Sequence, residues 1–400
     1  MHSIVLDCLE NLFYSIVMNA PERLALLSAD MQLEVNHSKE IDCQPILGGI
    51  QQLPIPLTEI ALPGGKRMKV LKTLLTSACE RNCNYCPFRA GRDLRRATFK
   101  PEELAKIFME AYSVGQVQGL FLSSGVIGGG VKTQDQLIDT AHILRTKYEF
   151  QGYLHLKLMP GAEYDQVLRS MQLASRVSVN LEGANKMRLR LLAPMKDFDN
   201  ELFQQLKWIK KIRHTLEPIH CWNKRWASAT TQFVVGASGE TDVELIATSE
   251  LLFRHFKLAR NYYMAFNPIR NTPFENLPAE NPIRQHRLYQ SSFLLRDYSF
   301  RMEEMPFLED GNLPLDIDPK LAWAQENLIE APIEINCASR EELLRVPGIG
   351  LHGVERILIA RKARMISKAE HLNKLGVITK RAAPFIVVNG KQPSYQMMLM

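Results

Sequence analysis

Short apolar runs alternate with amphipathic stretches through the first two thirds of the chain. The runs at 70–75, 119–125, 153–159, 177–183, 231–236 and 262–267 read as buried strands. Between them, stretches such as 101–111 and 241–251 repeat apolar residues at helical spacing. Six strands alternating with helices predict a parallel α/β architecture. A Pro-rich connection over 267–283 leads into a helix over 284–298. Residues 301–330 read as a connecting segment with a short helix near 321–328, and the composition shifts at Ala331-Pro332. The expected domains are a helical extension over 1–45, an α/β domain over 46–300, the connector, and a small domain over 331–400. Met18 is an alternative start, which makes 1–17 a non-native extension.

The loop after the first strand carries the most informative chemistry. Cys79, Cys83 and Cys86 stand in a Cys-x3-Cys-x2-Cys spacing, with Tyr85 before the last of them. Three thiolates lie within reach of one metal centre, and no fourth ligand is near in sequence. A structural zinc closes with four ligands. A [4Fe–4S] cube held by three cysteines keeps one iron open, as a catalytic cluster requires. Zinc, or a ferredoxin-type cluster with a remote fourth ligand, is the alternative. The loop follows a strand's C-terminal end, where barrel enzymes place their chemistry. Cys8, Cys43, Cys221 and Cys337 are scattered and form no second cluster motif.

This spacing, Tyr85 and the strand-to-loop setting resemble the radical S-adenosylmethionine (SAM) superfamily. The resemblance implies a partial (β/α)6 barrel, a [4Fe–4S] cluster, SAM, and an external electron donor such as flavodoxin or ferredoxin. It also implies the reaction: an electron from the cluster opens the sulfonium, and a 5′-deoxyadenosyl radical takes hydrogen from the substrate. Ser123, Ser124 and Gly125 stand where the family binds the cofactor's amino group, with the family's acid lost and Gly128-Gly-Gly130 following. Asn180 and Glu182, at the end of the fourth strand, are placed to reach the ribose or the methionine moiety. Gly236, Gly239 and Glu240 match a glycine-rich turn beside the adenine, although Glu240 is also placed to cap the next helix. Arg188, Arg190 and Lys196 are candidates for the methionine carboxylate, with Arg190 preferred for bidentate pairing. Cys221 is a candidate hydrogen-atom donor by analogy with spore photoproduct lyase, against the default of a buried inert thiol.

Charge separates the two ends of the chain. The net charge is +6, and residues 331–400, with eleven Lys+Arg and five Asp+Glu, carry all of it. A basic module on a neutral enzyme points to a polyanion partner. Residues 334–358 resemble a helix-hairpin-helix domain: Ser339 and Glu342 form a capping box, and Pro347-Gly348-Ile349-Gly350 makes the turn. The resemblance implies that backbone N–H groups at Gly348, Ile349 and Gly350 hold a phosphate, with Arg345, Arg356, Arg361 and Lys362 adding charge. A degenerate second copy spans 369–381. Arg89, Arg92, Arg95, Arg96 and Lys100 follow the cluster loop and read equally as a phosphate grip or a solvated loop. Trp222 and Trp226, among Lys210, Lys211, Arg213, Lys224 and Arg225, read as core-edge residues rather than a stacking platform.

No apolar run approaches the roughly 20 residues of a membrane span. The first ten residues make a poor signal peptide, and seven unevenly spaced cysteines suit a reducing cytoplasm. Barrel and tail together resemble a family of radical SAM proteins described as acting in DNA modification or repair. This implies DNA as substrate and a uracil-DNA glycosylase-like protein as partner. RNA as substrate, and a non-catalytic cluster-bearing sensor, are the alternatives.

Overall fold

The computed structural model describes residues 18–33, 40–45, 54–61 and 67–394. The expected extension over 1–17 and the boundary at 45/46 lie wholly or partly outside them. Contacts divide the chain into two units: residues 1–240 with 255–280, and residues 241–254 with 281–400.

The first unit is built on one eight-stranded sheet whose strands follow chain order. Helix α1 (Ala20–Leu33) precedes strands β1 (Glu40–Pro45), β2 (Pro54–Ala61) and β3 (Arg67–Leu74). Strands β1 to β3 pair antiparallel. Strand β1 corrects the expectation of a purely helical extension over 1–45. Two prolines hide β2 in the sequence. Pro54 opens the strand, and Pro56 falls where the β1–β2 register slips, a position that tolerates a residue with no N–H.

From β3 onward the sheet is parallel, with β4 (Gly119–Ser123), β5 (Tyr153–Lys157), β6 (Arg176–Ser178), β7 (Ser228–Val235) and β8 (Arg260–Ala265). These are the six strands expected from the sequence, forming a partial barrel. Helices α2 (Pro101–Ser113), α3 (Gly130–Thr146), α4 (Tyr164–Leu173), α5 (Lys186–Leu192) and α6 (Gln204–Thr215) fill the connections. Helix α2 shows why: Pro101 suits its first turn, and Leu104, Ile107, Phe108 and Ala111 fall on one buried stripe. Strand β6 is shorter than expected and ends at Ser178, and Glu182, four residues further on, adopts φ 61°. Its backbone still pairs with β7, donating to the Gln232 carbonyl at 2.9 Å and accepting from Val234 N–H at 2.8 Å.

The second unit contains α7 (Asp242–Phe256) over residues 241–254, then α8 (Pro282–Asp297) and α9 (Pro319–Asn327). It ends in a double hairpin: α10 (Arg340–Arg345) with α11 (Leu351–Ala363), then α12 (Glu370–Lys374) with α13 (Thr379–Ala382). The boundaries expected at 300 and 330 do not divide these contacts. Arg345 pairs with Glu304 at 2.6 Å and stacks over Phe300 and Trp323, tying the connector to the hairpins. The expectation of an all-α tail also needs correction, since β9 (Ile333–Glu334) and β10 (Ile386–Val387) pair in parallel. Leu343, Val346, Ile349, Val354, Leu372 and Val377 share one core, so the helix pair α12 and α13 packs with the pair α10 and α11. No helix among the described residues is long and apolar enough to cross a membrane.

Candidate active site

The three cysteines sit on the loop leaving β3, and hydrogen bonds fix that loop from both sides. Arg96 is buried, and its guanidinium donates to the carbonyls of Ser77, Phe88 and Arg89, the last two at 3.0 Å. The Glu80 carboxylate accepts from Gly128 and Gly129 N–H at 2.9 and 3.0 Å, so the glycine run grips the loop rather than the cofactor. Arg81 pairs with Glu201 at 2.9 Å. Gly125 N–H donates to the Thr76 carbonyl at 2.7 Å. A Cβ at Gly125 would stand 2.1 Å from the Ala78 carbonyl oxygen, so only glycine lets the β4 exit lie against the loop.

Two sulfurs already accept backbone N–H groups: Cys79 Sγ from Val126 at 3.5 Å, and Cys86 Sγ from Phe88 at 3.4 Å. Such donors favour thiolates and tune iron–sulfur clusters. Among the described residues, no three His, Cys, Asp or Glu side chains gather as one metal ion would gather them. Three thiols on one short loop, two of them already accepting amide N–H groups, are a donor set that fits a three-cysteine iron–sulfur cluster.

A cavity of about 390 Å³ opens beside the loop. All three cysteines line it, with Tyr85, Ser124, Gly125, Asn180, Glu182 and Lys196. The carboxylate of Glu182 accepts from Lys196 Nζ at 2.9 Å and from the Tyr85 hydroxyl. Burial alone would raise the Glu182 carboxyl, but Lys196, Lys157 and the bonds it accepts hold it below the usual range. Burial would likewise lower the Lys196 ammonium, yet Cys83 and Glu182 push it up. Burial, and then Glu182, push the Tyr85 phenol well up, so it stays a hydrogen-bond donor. The Cys83 thiol is raised by its burial, with Lys196 opposing. Ser123 and Ser124 hydroxyls are buried with no partner among the described residues, and Ser124 faces the cavity.

Several expected contacts are not brought here. Arg190 is exposed on α5, and Arg188 donates to the Ser238 carbonyl at 2.8 Å. Lys196 alone of the three cations lines the cavity, and it is tied to Glu182. Gly236, Gly239 and Glu240 form the expected turn, but none of them lines the cavity. The Glu240 carboxylate closes that turn by accepting from Gly236 and Ser238, and Thr241 with Glu244 caps the following helix instead. Cys221 lies ahead of β7, at the strand end away from the cavity, where burial pushes its thiol up to about 11. That placement removes it as hydrogen-atom donor. Lys157, Gln232 and Met264 line the cavity and were missed, although period-two alternation along their strands marks them.

The basic residues also separate by environment. Arg92 and Arg96 are spent on backbone carbonyls, leaving Arg95 and Lys100 exposed. Trp222 donates to the Ala174 carbonyl at 3.1 Å and Trp226 to that of Leu216 at 3.3 Å, as structural residues do. In the tail, Arg345 pairs with Glu304 and Arg361 donates to the Ile335 and Ala338 carbonyls, so neither is a phosphate ligand. Ile349 is buried, and its carbonyl accepts from Lys320 at 2.7 Å. The Tyr298 hydroxyl accepts from Leu351 N–H, taking up a donor of the turn expected to hold a phosphate. Gly348 is needed for its φ of 84° and its contact with Ile378, while Gly350 has an ordinary extended backbone. Arg356 and Lys362 remain exposed.

Residues 73–252 match the family model described as the radical SAM superfamily. No curated protein matches the chain. Among solved structures it is similar to the FeFe-hydrogenase maturase HydG from Carboxydothermus hydrogenoformans, at 16% identity and a TM-score of 0.45 over 57% of this chain and 51% of that one. It is similar to methylornithine synthase (PylB) at 13% identity and a TM-score of 0.45, over 57% and 61% of the two chains. A third is the radical SAM methyltransferase TsrM from Kitasatospora setae, at 12% identity and a TM-score of 0.40 over 62% and 44%. The matched region thus spans about half the length of the maturase.

Proposed function

Residues 73–252 form a radical SAM domain, and from that premise we propose that the chain is a radical SAM enzyme that removes hydrogen from a nucleic-acid substrate. One observation carries the first half: three cysteines line one cavity with the buried Glu182–Lys196 pair, two of their sulfurs already holding amide donors. When bound, the [4Fe–4S] cluster and SAM of this superfamily supply a carbon-centred radical that abstracts hydrogen. Cys79, Cys83 and Cys86 hold the cluster. Ser124 and Gly125 offer a hydroxyl and close backbone to the cofactor, and Asn180 and Gln232 offer side-chain amides. Phe88, Met159, Met264 and Phe266 give the cavity apolar walls that keep water and stray hydrogen donors out.

Support for the nucleic-acid half is the tail's charge together with its double hairpin. With Arg345 and Arg361 committed internally, the grip moves to exposed cations: Arg356, Lys362, Arg364, Lys368, Lys374 and Lys380. Contacts of that kind go to phosphates, carry little sequence information and weaken steeply with salt.

The test is anaerobic reconstitution. About four irons per chain and release of 5′-deoxyadenosine on reduction are expected. Changing any of the three cysteines to Ala should abolish both, and a stoichiometric zinc without iron would overturn the reading. Deuterium transfer from labelled DNA or RNA into 5′-deoxyadenosine identifies the polymer. Charge reversal at Arg356, Lys362, Lys374 and Lys380 should lower affinity roughly tenfold or more and flatten the salt dependence. Unchanged DNA and RNA affinity would remove the nucleic-acid half and leave the radical chemistry standing.

A further inference from the structure

The cluster loop is also held by a stretch that does not line the cavity, residues 191–195 at the end of α5. That stretch grips both neighbours of Cys83. Asn84 donates from its backbone to the Leu192 carbonyl and from its side chain to the Leu191 carbonyl, each at 2.8 Å. The Asn82 side chain accepts from Met195 N–H at 3.3 Å, and Arg81 donates to the Met195 carbonyl at 2.7 Å. The exposed side chains of this stretch are therefore one layer of chain away from Cys83.

The outer surface of that layer is apolar with a cationic rim. Met187, Leu191 and Met195 are 61%, 49% and 50% exposed. Met187 and Leu191 stand one turn apart on α5 and share a face, with exposed Arg190 beside them. Residues 184–196 hold four cations and no acid, although residues 1–330 are neutral overall. Two of the four turn inward, Arg188 to the Ser238 carbonyl and Lys196 to Glu182. Lys186 and Arg190 stay at the surface. The acids that follow are already answered: Asp199 by Lys186 at 3.1 Å, Glu201 by Arg81, and Asp197 by the N–H groups of Asp199 and Asn200. Exposed methionine and leucine beside arginine make the composition of a protein interface, not of a solvated helix face.

We propose that this face docks a small acidic protein that carries single electrons, and that the electron reaches the cluster across residues 191–195. The inference rests on the reading of the three cysteines as cluster ligands. The sequence has no second cluster motif to relay an electron, so it comes from outside the chain. The cavity side of the loop is reserved for cofactor and substrate, which leaves the outer side for the donor. Tunnelling falls off exponentially with distance, so the donor has to touch the chain where the covering of the loop is thin. Electron-transfer contacts are small, under about 1,200 Å² in total, and methionines adapt to different partner surfaces. Lys186 and Arg190 steer an acidic surface onto the strip. One electron passes to the cluster and leaves the carrier oxidised by one electron, with no bond made or broken.

The test separates the carrier's rate from the cluster's own competence. The full reconstituted chain is mixed anaerobically, in a stopped-flow instrument, with a reduced acidic flavodoxin, a reduced acidic [2Fe–2S] ferredoxin, or dithionite. Met187→Glu/Leu191→Glu and Arg190→Glu should each slow reduction by a carrier roughly tenfold or more at low salt, and Arg190→Glu should flatten the salt dependence. Iron content and reduction by dithionite should stay at the parent level, because none of these side chains lines the cavity. In the unmutated chain, a carbodiimide should join Lys186 to a carboxylate of the carrier, read by mass spectrometry. Parent rates in all variants with both carriers, or cross-links that omit Lys186, overturn the proposal. An oligonucleotide whose affinity falls in the same variants would give the face to nucleic acid, and a dimer split by Met187→Glu/Leu191→Glu would give it to a second copy; either result also overturns it. A parent chain without iron, or without 5′-deoxyadenosine release on dithionite, would instead remove the radical reading and this proposal with it.

Discussion

Replacing Lys196 with methionine probes the wall of the cavity directly. Its ammonium lies 2.9 Å from Glu182 Oε1, with side chains only 10% and 3% exposed. Methionine keeps most of the volume and removes the charge, leaving Glu182 with Tyr85 and the Lys157 charge. At an effective dielectric near 20, unit charges at that separation attract by about 6 kcal/mol. Removing one partner of a buried pair typically costs about 3–5 kcal/mol, or roughly 6–20 °C in the unfolding midpoint of a domain this size. The pH dependence should invert as well. In the parent chain the folded Glu182 carboxyl titrates below its unfolded value, so its stabilisation is present above about pH 4.3 and is lost as pH falls through the folded value. In Lys196→Met burial prevails and raises the carboxyl above its unfolded value. Stability is then greatest in acid and declines as pH rises through the raised value. Thermal unfolding followed by circular dichroism from pH 5 to 8 should give a flat profile for the parent and a falling one for the variant. The double variant Lys196→Met/Glu182→Gln should recover at least half of the loss and flatten the profile again. Parallel profiles, or a loss below about 1 kcal/mol, would refute the assignment of a desolvated pair.

Two glycine substitutions test the backbone argument. Gly125→Ala puts a Cβ 2.1 Å from the Ala78 carbonyl oxygen and 3.2 Å from Cys79 Cβ, so iron loading and SAM affinity should fall at a stability cost of about 1–3 kcal/mol. Gly129→Ala, with φ 93° and open space around it, should cost about 1 kcal/mol and leave loading intact. In the tail, Gly348→Ala combines φ 84° with a contact 2.5 Å from the Ile378 carbonyl oxygen and should destabilise the double hairpin by more than about 2 kcal/mol. Gly350→Ala meets nothing closer than 3.6 Å and should cost about 1 kcal/mol or less by thermal unfolding.

The parallel strands and the cluster loop were legible in the sequence because each rests on a local signal: an apolar run, or three cysteines in ten residues. Strand β2 was not, because prolines at 54 and 56 argue against a strand until the register slip is seen. Glu182 was found from its place at a strand end, but its partner Lys196 was indistinguishable from neighbouring Arg188 and Arg190. Which cation turns inward depends on the whole connection after β6. The tail shows the opposite limit. The hairpin motif reads plainly, yet nothing local reveals that Tyr298 and Lys320, 53 and 29 residues away from their partners Leu351 and Ile349, occupy the turn. Composition likewise counted Arg345 and Arg361 as free charge, whereas packing commits both to the protein's own acceptors.

Arg96 gives the cluster loop a keystone that is not a ligand. By bonding to carbonyls just before Cys79 and just after Cys86, it closes the loop as a ring of protein alone. Zinc fingers take their shape from the ion and collapse without it. Here a single guanidinium, ten residues past the last cysteine, ties the two ends of the loop together, so the spacing of three sulfurs hangs on a side chain that touches none of them.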